Sequence, residues 1–109
     1  MSATREPRWK HTDIFPIITD FIHQDYEQRR RPVLAPDIVA HLLHETSART
    51  IIDAVRQHQQ DWSVEHIASN MVAWFTARFE SGTSPYLHEF EHTTVDGQDA
   101  YTPTATPKP

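Results

Sequence analysis

Apolar side chains recur at helical spacing over most of the stretch from residue 14 to residue 79. The first such stripe consists of Ile14, Ile17, Ile18, Phe21 and Ile22, which share one face of a helix. Three more stripes follow at 36–45, 46–60 and 63–80, with polar or helix-breaking residues between them. The pattern therefore predicts three or four amphipathic helices packed on one core.

Residues that favour helix N-termini lie at the predicted helix starts. Thr12 or Asp13 would cap the first helix, and Thr46 or Ser47 would cap the third. Ser63 would cap the fourth and longest helix. In each case a side-chain oxygen could accept one of the backbone N–H groups that a helix start leaves without a partner.

The chain changes character after the fourth helix, which we expect Gly82 to end. Residues 86–95 alternate between apolar and polar types, and Asp96-Gly97 is a strong hairpin-turn signal. Residues 100–102 would then form the second strand of the hairpin. Val33-Leu34, between two prolines, could form a very short strand. The predicted fold class is α+β, with three to four helices and a C-terminal β-hairpin in a winged-helix-like order.

Composition limits the classes of function that remain. The chain of 109 residues holds one domain, which we place at 12–103 between a flexible basic arm at 1–11 and a disordered tail at 104–109. The absence of cysteine excludes disulfides and thiolate metal sites, and two glycines cannot build a glycine-rich phosphate loop. No apolar run could span a bilayer, and no secretory signal is evident, so we expect a cytoplasmic protein without a membrane partner.

The order of elements over residues 12–103 resembles the winged helix-turn-helix family of DNA-binding domains. In that family the last helix before the hairpin enters the major groove and the hairpin, or wing, touches the DNA backbone or minor groove. The resemblance implies a recognition helix at 63–80 and a wing at 87–102. Two features depart from it, since 46–60 is long for the turn between helices and the wing has no Lys or Arg. The wing instead carries Glu89, Glu91, Asp96 and Asp99.

Candidate nucleic-acid-binding residues fall into two groups. On the fourth helix the positions outside the core stripe include His66, Ser69 and Asn70, and such side chains can reach base edges or phosphates. The same helix face also contains Glu65, Ala73, Thr76 and Ala77. The second group is the basic run Arg29, Arg30 and Arg31, a possible phosphate clamp. Both groups also have a purely structural interpretation. The positions on the fourth helix could be an ordinary solvated helix face, and the arginines could stabilise a helix C-terminus through its dipole.

One short motif has a chemical interpretation that its context disfavours. His88-Glu89-Phe90-Glu91-His92 matches the H-E-x-x-H pattern of zinc proteases, which needs a helix to bring both histidines to one ion. The neighbouring Pro85 and Asp96-Gly97 predict a strand instead. In a strand the two histidines would lie about 13 Å apart and could not share an ion. His41 and His44 are a second pair without an obvious third ligand.

These observations support one leading hypothesis and two alternatives. The first is a small DNA-binding module in transcription regulation, which acts on double-stranded DNA without catalysis, cofactor or metal. The chain's net charge of −5 disfavours strong non-specific DNA binding, because neutralisation of DNA phosphates requires a basic protein face. The alternative is a protein-interaction module or homodimer on the same scaffold. A zinc hydrolase built on His88, Glu89 and His92 is the third.

Overall fold

The structure is a computed structural model that describes residues 9–104. Its elements are α1 (His11–Arg29), β1 (Val33–Leu34), α2 (Ala35–His44), α3 (Thr46–His58), α4 (Val64–Ser81), β2 (Phe90–Val95) and β3 (Gln98–Pro103). Four helices and a small antiparallel sheet confirm the predicted α+β class and give a winged-helix-like layout. Most of the predicted basic arm and nearly all of the predicted tail lie outside the described residues. Within that part of the chain, no helix has the length and apolarity needed to cross a membrane.

The sheet joins the hairpin to the short strand that precedes α2. The strand order is β1-β3-β2, so β3 is central and pairs antiparallel with both neighbours. Val33 pairs with Tyr101, and His92 pairs with Tyr101 from the other side. Asp96 and Gly97 both have positive φ, at 53° and 80°, as the predicted two-residue hairpin turn requires.

The core is formed mainly by α1, α2, α4 and the sheet. The larger side chains that are fully buried are Tyr101, Phe75, Phe90, Ile14, Ile18, Ile22, Ile38, Leu42, Ile52, Ile67, Met71 and Val33. Phe75 lies at the centre of this set, with ring centroids 5.1 Å from Phe15 and 5.2 Å from Tyr101. Helix α4 therefore connects the helical part of the core to the sheet.

Two of the predicted caps are wrong and one is confirmed. Helix α1 begins at His11 after Lys10, which makes no side-chain cap, while Asp13 lies in the first turn. Helix α3 is capped by Glu45, whose carboxylate accepts the N–H of Ala48 at 2.9 Å. A carboxylate at a helix N-terminus is also stabilised by the helix dipole. Glu45 therefore has the capping role that was predicted for Thr46 or Ser47.

The helix α4 boundaries agree with the sequence prediction. The Ser63 hydroxyl accepts the N–H of His66 at 3.1 Å. Gly82 ends the helix in the left-handed region with φ 77°, and its N–H bonds back to the last turn. These two residues fix where α4 starts and stops, and therefore which of its side chains face the core.

The strand predicted from residue 86 begins only at Phe90. Residues 85–89 form turns, in which the Ser84 hydroxyl accepts the N–H of Tyr86 at 3.0 Å. Backbone N–H groups of Glu89 and Phe90 then bond back to the carbonyl of Tyr86. Local hydrogen bonds of this kind compete with strand pairing, which explains why alternation in sequence overestimated the strand. Phe90, the first residue of β2, points inward at 2% exposure.

Candidate interaction surface

The predicted arginine clamp is in large part a helix C-terminus. Arg29 forms an ion pair with Asp25 one turn earlier, at 3.2 Å. Arg30 adopts a left-handed conformation, caps α1 through its N–H, and holds its guanidinium 5.7 Å from the centre of the Tyr26 ring. Arg31 is exposed and makes no ion pair with any residue that the structure describes. The run thus stabilises the end of α1, and among residues 9–104 no carboxylate forms an ion pair with Arg30 or Arg31.

The three candidate residues on α4 lie on one side of its first half. His66 is exposed and packs edge-on against the half-buried Trp62, with centroids 4.3 Å apart. Ser69 is exposed, whereas Asn70 is partly buried. Their positions permit contact with a partner, although the Trp62 contact limits how far the His66 ring can move.

Thr76, which the pattern assigned to the solvent face of α4, is buried at 7% exposure. Its hydroxyl bonds to the phenol of Tyr101 in β3 at 2.5 Å. Burial raises the pKa of the Tyr101 phenol, and nearby Asp99 and Glu80 raise it further, so this phenol stays neutral. The pair gives the core one internal polar contact between α4 and the sheet.

A groove runs between the first half of α2 and the middle of α4. It has a volume of about 370 Å³ and a mainly apolar lining. Its lining residues are Ala35, Pro36, Val39, Ser69, Val72, Ala73, Thr76 and Asp99. The face of α4 on which the winged-helix resemblance puts DNA contacts therefore borders an apolar groove with a carboxylate at one side.

The arginine run and the groove lie toward opposite ends of β3. Arg30 lines a shallow pocket together with Tyr26 and Pro103, whereas the groove includes Asp99. Asp99 and Pro103 are four positions apart along an extended strand, which is a distance of about 13 Å. Arg30 and Ser69 therefore line different pockets.

The predicted wing is acidic in the structure as well as in the sequence. Between Phe79 and the end of β3 there is no Lys or Arg. Glu91 and Asp96 are exposed, and Glu89 pairs with a ring nitrogen of His23 at 2.6 Å. A hairpin of this charge repels phosphate at neutral pH, where an ordinary histidine is mostly uncharged.

The H-E-x-x-H stretch lacks the helical geometry that a zinc protease needs. His88 and Glu89 lie in a turn and His92 lies in β2. The other histidine pair is separately engaged: His41 stacks on Phe21 at 4.3 Å, and a ring nitrogen of His44 lies 2.8 Å from the carbonyl of Ala40. Burial lowers the pKa of His41, which favours its neutral form.

Helix α3 presents a polar face to solvent. Arg49 pairs with Asp53 at 3.1 Å, and Arg56 donates to the carbonyl of Trp62 at 3.1 Å. A second pocket on this face is lined by Asp53, Arg56, Gln57 and Gln60. In the sequence, only the amphipathic pattern of α3 indicates this face. Both arginines on the face already have local partners.

Trp74 lies at the exposed edge of the buried stripe of α4. At 36% exposure, it is the one large apolar side chain classed as exposed in the described part of the chain. Its ring lies 5.7 Å from His11, whose Nδ1 accepts a hydrogen bond from Arg78. Burial, with a smaller contribution from Arg78, lowers the pKa of His11, so the ring accepts as a neutral imidazole.

Comparison with known proteins identifies no relative for this chain. No family model, no curated protein and no solved structure matches it.

Proposed function

We propose that this chain is a non-catalytic protein-interaction module, which binds a partner segment in the groove between α2 and α4. The observation that carries the proposal is the groove itself, because it is apolar and borders the exposed face of α4. Concave, mainly apolar clefts with a polar group at the rim are common binding sites. The proposed partner segment supplies an apolar side chain to the groove and a Lys or Arg toward Asp99.

Shape and charge support this partner chemistry. Ala35, Val39 and Ala73 are small, so the backbone of a partner can approach α2 and α4 closely. Asp99 is about two-fifths exposed and can still accept a hydrogen bond from a cation. The acidic hairpin next to it favours basic partners and disfavours phosphate.

Panning a random peptide library against the purified chain tests this proposal. We expect the enriched peptides to combine apolar residues with Lys or Arg. Ala73→Glu should weaken their binding by at least roughly tenfold, since it puts a charged side chain into an apolar contact. Ala54→Glu is the matched control, because Ala54 is an exposed alanine on α3 and away from the groove lining. If both variants bind the peptides equally, or if no peptide is enriched, the groove is not the binding site.

DNA binding is a second candidate, favoured by the winged-helix-like order of elements and by Arg30 and Arg31. These two guanidinium groups make no ion pair with a carboxylate among the residues described, so they are available to phosphate. In this alternative Arg29, Arg30 and Arg31 hold the DNA backbone, while His66, Ser69 and Asn70 reach base edges.

A salt titration of binding to a random duplex pool separates this candidate from the first. If DNA binds, replacing the three arginines with alanine should weaken binding to all sequences and flatten its salt dependence. Asn70→Ala should instead lower preference for one sequence by roughly 1–3 kcal/mol. Arg56→Ala serves as a control, since that arginine is held by the carbonyl of Trp62. Absence of duplex binding at low salt would eliminate the DNA candidate and leave the groove proposal intact.

A further inference from the structure

Three potential metal ligands converge where the end of α4 meets the hairpin. Glu80 comes from the last turn of α4, His92 from β2 and Asp99 from β3. One ligand atom of each lies within 4.8 Å of the others, a grouping found once in the part of the chain that the structure describes. A ring nitrogen of His92 is already 2.8 Å from the Asp99 carboxylate. We call Glu80, His92 and Asp99 the hairpin triad.

The imidazole of the triad is held in place by its neighbours. The His92 ring stacks on Tyr101 at 5.1 Å and lies 6.2 Å from Phe79. Its side chain is only 18% exposed. Tyr101 is fixed in turn by its bond to Thr76. The orientation of His92 therefore comes from the packed core, as ring orientation at metal sites usually depends on surrounding contacts.

The electrostatics of the hairpin triad favour a bound cation. Glu80 lies at the C-terminal end of α4, where the helix dipole is negative and a carboxylate is unfavourable. Asp99 brings a second carboxylate close to it. Within residues 9–104, neither carboxylate has an ion pair with Lys or Arg; Asp99 has only His92. A divalent ion would offset both negative charges and the dipole together.

We propose that the hairpin triad binds a divalent transition-metal ion of the zinc class, with one nitrogen and two oxygen ligands. Two ligands about 2.1 Å from a tetrahedral ion lie roughly 3.4 Å apart, so ligand atoms within 4.8 Å need only small side-chain movements. The ion would replace the proton shared by His92 and Asp99. It would join the end of α4 to both hairpin strands and leave a fourth position for water. Because the ion needs only one oxygen of Asp99, the second oxygen could still accept a hydrogen bond from the Lys or Arg of a partner segment.

This site differs from the one that the H-E-x-x-H pattern suggests. Only His92 belongs to both, and its partners come from α4 and β3 rather than from the preceding four residues. The spacing of these three residues along the chain does not indicate that they meet. Asp99 lies near His92 because of the register between β2 and β3, and Glu80 lies near it because α4 ends beside the hairpin.

Calorimetric titration of the full chain with ZnCl₂, combined with thermal melting, tests the proposal. We expect one ion per chain, a rise in Tm on adding zinc, and reversal of that rise by EDTA. Glu80→Gln, His92→Gln and Asp99→Asn should each weaken zinc binding by roughly tenfold or more, since each removes one of three ligands. Glu80 is exposed, so Glu80→Gln should leave the fold intact even if His92→Gln does not.

Two control variants keep the test specific. His88→Gln removes the histidine of the sequence motif that lies outside the hairpin triad, and it should bind zinc as the unmodified chain does. Asp96→Asn removes one negative charge from the same hairpin at a positive-φ position that asparagine tolerates. Failure to bind one zinc ion, binding that survives Glu80→Gln and Asp99→Asn, or loss of binding in His88→Gln would overturn the proposal.

Discussion

Phe75→Ala is expected to lower the free energy of unfolding by about 3–5 kcal/mol, because it removes a large and fully buried ring. The ring contacts Phe15 on α1, Phe79 on α4 and Tyr101 on β3, so the cavity would open where helices meet the sheet. Side chains from separate elements cannot all collapse into such a space, which places the expected cost toward the upper part of the range.

Urea denaturation followed by circular dichroism measures this loss. Ser63→Ala in the same helix is the matched comparison and should cost only about 1 kcal/mol, since it removes one capping hydrogen bond. The ratio between the two variants distinguishes a core residue from a helix-end residue. Equal midpoints for Phe75→Ala and Ser63→Ala would contradict the position assigned to α4 at the centre of the core.

Removing one partner of the buried Thr76–Tyr101 hydrogen bond is expected to cost about 1–3 kcal/mol. Tyr101→Phe leaves the buried Thr76 hydroxyl without its hydrogen-bond partner. Thr76→Val likewise leaves the buried Tyr101 phenol without its partner. Most of the cost comes from the polar group that stays buried rather than from the lost bond. The double variant removes both polar groups and should therefore be destabilised by less than the sum of the two single changes.

A double-mutant cycle by urea denaturation gives the coupling energy of this pair. The unmodified chain, the two single variants and the double variant are compared under one condition. Additive effects would show that the two hydroxyls find other partners when separated. Strong coupling would show that this contact helps align α4 with β3, and with it the groove and the hairpin triad that adjoin both elements.

Local sequence rules predicted those features that depend on neighbours along the chain. The Asp96-Gly97 turn was predictable because both residues must take positive φ, and few residue types do so readily. The ends of α4 were predictable because Ser63 and Gly82 act on backbone groups within one turn. The cap of α3 was missed, since Glu45 uses a longer side chain than the residues usually found there.

Contacts between distant segments decided the rest. The apolar stripe of α4 indicated a buried face, yet only the packing against β3 shows that Thr76 belongs to it. The sequence suggested that the arginine run and the α4 face act together, yet Arg30 and Ser69 line different pockets. The groove combines residues of α2, α4 and β3, which no spacing along the chain relates.

The sequence by itself determined the class of the fold, the hairpin turn and most of the core stripes, because periodicity and turn chemistry act over a few residues. Tertiary structure alone decided which polar residues share a surface. Glu80, His92 and Asp99 come together only because α4 ends at Gly82 beside an antiparallel hairpin, whose register puts His92 opposite Tyr101 and brings it into contact with Asp99. A functional site assembled across elements depends on that register, and register follows from the packing of the whole chain.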